Sequence, residues 1–376
     1  MKNSDSDDLI TRLQQIPEIA PPADLIYTIM KRVEQPKIGF FATVFGFFLT
    51  PRSISFRPVT LALGASLILV FSYIGTLSYQ KGAKLGTESS TADILSLAMQ
   101  DDEASFLIGR GLMVAGLTKE ALPLLQKASF KVPANPEYAY WEGLCFWANG
   151  MPDKERLSYV RGIESAPDTI PLLLNLGHNF LEEKNYEGAL DNYNKVISLS
   201  STDPTALYNR ALVFHLQKNQ KSERRAWKAY LEQYRFGMNS FQAVQHLNNL
   251  NDFSYRTYSI GTRKIILNQR ALLSMLPQHA FNDNVETLAN YLLHDSSLFL
   301  DIVFFSEKNA TNAKQKAIQL KQHLIAQLGE SYRQRIRLSW FGEQEMIQTS
   351  NGTKQLSESV LLFARSKDQL NQETTI

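Results

Sequence analysis

Cysteine is almost absent from this chain, and neither sign of charge is in excess. Cys145 is the one thiol in 376 residues. A lone cysteine closes no intrachain disulfide and builds no cysteine-rich zinc site, so the fold must rest on packing. Lys and Arg total 39 against 37 Asp and Glu, a formal charge of +2. That balance gives no electrostatic reason to expect nucleic acid as a partner. Catalytic signatures are missing too. There is no Gly-rich phosphate loop with its lysine and hydroxyl, and no Gly-x-Ser-x-Gly elbow. The six histidines, at 178, 215, 246, 279, 294 and 323, are scattered and form no paired zinc motif. The expectation is a non-enzyme with no catalytic residue, no cofactor and no metal.

A long apolar run is present. Residues 59–79 carry no charge and are rich in Leu, Ile, Val, Ala and Phe. A helix of about 20 residues at 1.5 Å per residue covers about 30 Å, the thickness of the hydrocarbon core. Pro58 suits the first helical position, and Tyr73 and Tyr79 suit the interface. The run begins almost sixty residues in, too late for a signal peptide, so it is expected to stay as a single transmembrane anchor, residues 58–79, in contact with the lipid bilayer. Arg52 and Arg57 precede it and Lys81 and Lys84 follow; Lys31, Arg32 and Lys37 add to the upstream side. The positive-inside rule then places the N-terminus in the cytoplasm and the C-terminal bulk in the periplasm, with the anchor in the inner membrane.

The arm before the anchor, residues 1–57, is too short for a large core. Leu9, Leu13 and Ile16, then Leu25, Ile26, Ile29, Met30 and Val33, recur at helical spacing and read as two short amphipathic helices. Ile38 to Leu49, with five phenylalanines, is too short to span and reads as an interfacial helix. The order Pro21-Pro22-Ala23-Asp24-Leu25, Ile29 to Val33, then Arg57-Pro58 resembles the leader of membrane-bound anti-sigma-like regulators. Zinc-type members of that group need His and Cys ligands here, and none occurs before Cys145. A linker helix is expected over 80–101.

The strongest signal is an internal period. Gly109, Gly143, Gly177 and Ala211 stand 34 residues apart. Three residues beyond each stand Leu112, Phe146, Phe180 and Phe214; sixteen beyond stand Leu125, Tyr159, Tyr193 and Trp227. The small residue lets two helices cross closely, and the large ones fill the space between that pair and the next. Ala115-Gly116, Asn149-Gly150, Lys184-Asn185 and Lys218-Asn219 supply the turns. Such a unit cannot bury its apolar face alone, so the units stack.

This pattern resembles the tetratricopeptide repeat. Leu176-Gly177, Tyr186 to Leu190, Tyr193 and Ile197 follow its motif, as do Asn175 and Asn209 before the small residue, with Pro133 and Pro167 at unit ends. The expected units are 102–135, 136–169, 170–203 and 204–237, four repeats in a superhelix over 102–237. Glu155 and Glu223 stand where the motif wants alanine, and Tyr230 where it wants another small residue, so those two units are expected to pack less regularly. The resemblance implies a concave groove for extended peptides or helices. Its matching positions are Phe106, Tyr140, Leu174 and Tyr208; Arg110, Leu144, His178 and Leu212; and Met113, Trp147, Leu181 and His215. That lining is apolar and aromatic and would favour a hydrophobic segment if exposed; a capping helix or the C-terminal domain could equally cover it. Cys145 occupies a buried-type position of the second unit and is expected to pack rather than attack.

After Phe236-Gly237 the 34-residue phase is expected to stop, with a linker over 238–258. Strand signals at Lys264–Leu267, Phe299–Phe305, Arg335–Trp340 and Ser359–Ala364 alternate with helix signals at Asn284–Leu293 and Ala310–Leu328. They imply an α/β sandwich over 259–366, with helices on one face of a small mixed sheet and a flexible tail over 367–376. Lys314, Lys316, Lys321, Arg333, Arg335 and Arg337 read as a solvated basic face. Arg337 to Glu343, then Ile347 and Asn351-Gly352-Thr353, with Leu300 to Glu307 before them, resemble the outer-membrane-protein-A-like domain that grips peptidoglycan. That family uses an aspartate in the loop and an arginine near the last strand. Here Glu307 replaces the aspartate, and the arginine position falls within Val360-Leu361-Leu362, so the fold is expected without peptidoglycan binding.

The fold class is thus mainly α: a transmembrane helix, a helical repeat array and a C-terminal α/β domain. The expected function is a membrane-anchored scaffold that binds partner proteins in a cell-envelope complex. A membrane-bound signalling regulator and a peptidoglycan-associated protein are the alternatives.

Overall fold

The structure, a computed structural model, describes residues 102–366 apart from 262, 296, 308, 350 and 351. The N-terminal arm, the anchor, the 80–101 linker and the 367–376 tail lie outside the described residues. Among those described, no helix is long and apolar enough to cross a membrane. The chain divides into two compact units, between Gly188 and Ala189.

Eight helices follow one another: α1 (Asp102–Val114) and α2 (Thr118–Lys131), α3 (Pro136–Ala148) and α4 (Pro152–Ser165), α5 (Ile170–Glu182) and α6 (Tyr186–Leu199), and α7 (Pro204–Leu216) and α8 (Gln220–Gln233). First helices begin at 102, 136, 170 and 204, and second helices at 118, 152, 186 and 220. Both series keep the 34-residue interval. Local chemistry sets the starts. Asn135 accepts hydrogen bonds from the Glu137 and Tyr138 N–H groups ahead of Pro136, and Asp203 accepts from Ala206 ahead of Pro204. A side-chain cap satisfies backbone donors that have no helical partner, and proline at the first position has no donor to waste. The turns inside the pairs use one backbone solution: Gly116, Gly150, Lys184 and Lys218, again 34 apart, all have φ between 58° and 81°.

In the first unit the close crossing is visible at Gly143. A Cβ added there would lie 2.2 Å from the ring of Tyr159, which is fully buried. At Gly109 an added Cβ would meet Leu125 at 2.8 Å. Phe106, Ala121, Leu125, Ala128, Trp141, Leu144 and Cys145 form one buried cluster. Cys145 packs as expected: its Sγ donates to the Thr118 carbonyl at 3.3 Å, and burial pushes its thiol up to about 11.

In the second unit the phase continues past its expected end. Helix α9 (Met238–Asn249) begins 34 residues after Pro204, in the stretch expected to be a linker, and buries Ala243, Val244 and Leu247. The sequence hides this helix because it has no side-chain cap and no second helix to complete the small-large pattern; Gly237, at φ 89°, turns the chain into it. The strands are β1 (Tyr255–Ile260), β2 (Arg263–Asn268), β3 (Leu298–Ser306), β4 (Ile336–Phe341), β5 (Glu345–Thr349), β6 (Gly352–Leu356) and β7 (Glu358–Ser366). The main sheet has the order β2-β1-β7-β3-β4 and is mixed, with β1 parallel to β7, β3 antiparallel to β7 and β3 parallel to β4. Helices α11 (Gln278–His294) and α12 (Ala310–Leu328), with the short α10 (Gln269–Ser274), cover one face. Leu288, Leu292, Leu320 and Leu324 pack there against Leu300, Ile302, Phe304, Val360 and Leu362. The β5–β6 hairpin forms its own sheet and is tied back by Arg256, which donates to both Glu345 oxygens at 2.6 and 2.7 Å. Strand β1, α10 and this hairpin carry no clear sequence signal, since their apolar residues are interrupted by Arg, Thr, Ser, Gln and Lys.

Candidate functional site: the inner helices of the repeats

A first helix of each repeat must satisfy two demands. It packs on its own second helix, and it meets the first helix of the next repeat. The second demand consumes much of the lining expected to face a ligand. Phe106 is buried, its ring stacked on Tyr138 at 4.3 Å. Arg110 reaches from α1 to Glu137 on α3 at 3.3 Å and lies over the Phe106 ring. Leu144, His178, Leu181 and Leu212 are buried. Tyr208 is buried as well: its hydroxyl donates to Gln242 on α9 at 2.7 Å, and its ring meets Trp227 and Tyr230 edge-on. Helices α8 and α9 thus bury Tyr208.

In the first unit, Arg110, Met113, Tyr140, Trp147 and Leu174 remain half-buried. Tyr140 and Trp147 stand two turns apart on α3. The Trp147 indole donates to Glu182 on α5 at 3.5 Å, and the Tyr140 hydroxyl, hydrogen-bonded to Asn175, is pushed up to about 12 by burial. Two half-exposed aromatics held by neighbouring helices present rigid apolar faces, the kind of side chain that dominates protein contacts. His215 is the exposed member of the expected lining, and its Nδ1 lies 2.8 Å from a Glu223 oxygen.

A buried polar layer beneath the lining was not expected. Glu155, on α4, is 3% exposed, and its carboxyl accepts from Asn179 at 2.9 Å. Burial, followed by the nearby Glu182 charge, pushes its pKa up to about 8, against the pull of Asn179, Tyr159 and Arg156. The Arg156 Nε donates to Asn179 Oδ1 at 2.9 Å and its guanidinium pairs with Glu183. His178 is pushed down to about 4 by burial. Glu142 pairs with Arg161 and accepts from Ser158 at 3.1 Å. The expected irregularity of the second and fourth repeats is absent from their helix lengths, 13 and 14 residues as in the other two, because each glutamate finds polar partners.

The terminal domain offers less. A cleft of about 500 Å³ is lined by Glu232, Arg235, Arg263, Asp283, Glu286 and His294 among others. Its lining mixes charges of both signs, and Arg235 pairs with Asp283 at 3.7 Å. Glu307 is exposed after β3, with its N–H donating to the Ser357 carbonyl. Val360 and Leu362 point into the core, so no guanidinium occupies that stretch of the last strand. The basic stretch is divided: Lys314 and Arg333 are exposed, as expected of a solvated face, whereas Arg337 pairs with Asp301, Arg335 donates to the Leu298 and Asp295 carbonyls, and Lys316 pairs with Glu358.

Comparison with known proteins bears on the helical part. No curated protein matches the chain. Solved structures similar to it include MamA 41-end from Desulfovibrio magneticus RS-1, at 18% identity over 40% of this chain and 83% of that one, TM-score 0.36. A MamA crystal structure is 19% identical over 44% and 90%, TM-score 0.37. YrrB, a TPR protein with an unusual peptide-binding site, is 18% identical over 40% and 77%, TM-score 0.37. Likenesses of that strength bear on neither partner nor function. A tetratricopeptide repeat model matches residues 106–168 and a TPR repeat model matches 159–218. The chain carries tetratricopeptide repeats, followed by a C-terminal domain that contains strands.

Proposed function

We propose that this protein is a scaffold that holds partner proteins on the inner helices of its repeats. The half-buried pair Tyr140 and Trp147, flanked by Leu174, is the observation that carries the reading. A short apolar segment of a partner chain suits it. Rigid aromatics lose little entropy on contact. Anchoring to the inner membrane through residues 59–79, with the repeats in the periplasm and envelope-complex subunits as partners, extends this proposal. Its support is the charge-free run and the basic residues before it. A signalling role for the arm 1–57 rests on the leader resemblance alone, and deletion of that arm with no change in gene expression removes it.

Crosslinking the full chain in its native membrane, then identifying what is captured, tests the scaffold reading. Trp147→Ala and Tyr140→Ala together should lower capture of the specific partners at least about tenfold, as loss of central aromatic anchors does. Equal capture by wild type and variant would remove the lining from the binding surface. Purified peptidoglycan should fail to sediment the protein.

A further inference from the structure

Three side chains from three successive helices meet at the end of the repeat array. His215 lies in the last turn of α7, Glu223 in the first turn of α8 and His246 in the last turn of α9. Glu223 is 3% exposed. One of its oxygens, Oε1, lies 2.8 Å from His215 Nδ1 and 3.6 Å from His246 Nδ1. The same oxygen accepts the Trp227 indole N–H at 3.3 Å. One ligand-type atom from each of the three residues lies within 4.8 Å of the other two.

Two observations argue that this is more than an ion pair. First, His246 Nδ1 is buried and makes no hydrogen bond among the described residues, although its ring is held flat on Trp227 at 4.7 Å and edge-on to His215 at 4.5 Å. A buried polar atom left without a partner is costly, and native proteins keep few. Second, the half-buried cations of α8 are engaged elsewhere: Arg224 and Lys228 both pair with Asp252, at 3.4 and 2.6 Å, while Lys221 and Arg225 are exposed. The buried Glu223 carboxyl group thus faces two imidazoles, with no Lys or Arg paired to it among the described residues, and a buried polar group is costly unless its partners satisfy it.

Two imidazole nitrogens and a carboxylate oxygen are the donor set of zinc and its neighbours in the first transition row. Tetrahedral bonds of about 2.1 Å place ligand atoms about 3.4 Å apart. The observed separations of 2.8 and 3.6 Å bracket that value. We propose that His215, Glu223 and His246 form a divalent transition-metal site of the zinc type that ties α9 to both helices of the fourth repeat. The Trp227 N–H orients the carboxylate from behind, as outer partners of metal ligands do. The fourth position opens toward solvent on the His215 side, whose side chain is 45% exposed, and water fills it.

The test uses the full chain purified without a histidine tag, titrated with Zn²⁺ alone and Co²⁺ alone. One equivalent of Zn²⁺ should bind, and Co²⁺ should give the visible absorption of a low-symmetry four-coordinate ion. Removing an outer-shell partner of a metal typically weakens binding 10- to 100-fold, so losing a direct ligand should exceed about 100-fold. His215→Ala, the least disruptive change because that ring is exposed, should therefore abolish stoichiometric binding while helical circular dichroism stays unchanged. Glu223→Gln should do the same, and His279→Ala should not. Zn²⁺ should slow amide exchange across residues 238–249 in the wild type alone. Zn²⁺ bound equally by wild type and His215→Ala, or by neither, overturns the site.

Discussion

The second and fourth repeats put the same residue in the same slot and obtain different chemistry. Ala121 and Ala189 fill that slot in the first and third repeats, fully buried. Glu155 and Glu223 fill it in the second and fourth, each 3% exposed. What separates them is the company. Glu155 meets an amide, Asn179, with a second carboxylate, Glu182, nearby, and the cheapest response is to keep its proton. Glu223 meets two imidazoles and an indole N–H, all gathered around one of its oxygens. A buried carboxylate in a repeat array is therefore not a defect of the motif. Its role is decided by residues supplied from the next helix.

The largest effect separating the two repeats is steric. Gly143→Ala drives a methyl into the ring of the fully buried Tyr159, so something must shift. Overpacking of a filled core costs about 1–3 kcal/mol, and the upper end is expected here. Ala211 already carries that methyl in the fourth repeat, beside a fully buried Trp227. Ala211→Gly should cost only about 1 kcal/mol, the helix penalty of glycine. Urea midpoints for the two variants would erase the contrast if the losses came out equal.

A smaller net effect, about 2 kcal/mol between pH 6.5 and 8, comes from the proton on Glu155. The folded protein holds that proton up to about pH 8, whereas a carboxyl in the unfolded chain releases it near 4.5. Raising the pH through this window destabilises the first unit by about 1.4 kcal/mol per pH unit. His178 opposes this lower down. Its folded value of about 4 lies below the ordinary 6.5, so the unfolded chain binds the extra proton and rising pH stabilises the fold. The two slopes cancel between about pH 4.5 and 6.5, and the Glu155 loss stands alone from 6.5 to 8. Amide exchange of α4 and α5 should therefore accelerate across that upper interval, and Glu155→Gln should flatten it. A flat profile in the wild type would show that Glu155 is already ionised.

How much of this was legible in the sequence follows from how local each signal is. The helix pairs rest on small and large residues within one repeat, such as Gly143 and Tyr159, and that pattern alone locates them. The departures at Glu155 and Glu223 were also plain. Their partners were not, because Asn179 and His246 come from the next helix, more than twenty residues on, and nothing near either residue marks the meeting. The lining suffered from the same blindness. Periodicity selects Phe106, Leu144 and Tyr208 as inward-facing, but only the placement of the neighbouring helix decides that they are covered. Helix α9 continued the phase without the large residue that would have announced it.

The turns provide the smallest and cleanest comparison. Gly116 and Gly150 hold positive φ in the first two repeats, where no L side chain is penalised, while Lys184 and Lys218 hold φ of 62° and 58° in the last two. A lysine there brings its Cβ toward the following carbonyl, at about 1 kcal/mol or more, whereas glycine occupies that region freely. Glycine also enlarges the unfolded ensemble, which offsets part of the gain. The net expectation is that Lys184→Gly and Lys218→Gly each stabilise the fold by about 0.5 kcal/mol, additively, since the two turns belong to different repeats. Gly150→Lys should cost at least as much as either gain. If both lysine variants instead lost stability, lysine side-chain contacts rather than backbone strain would control these turns, and the uniform geometry of all four would need a different cause.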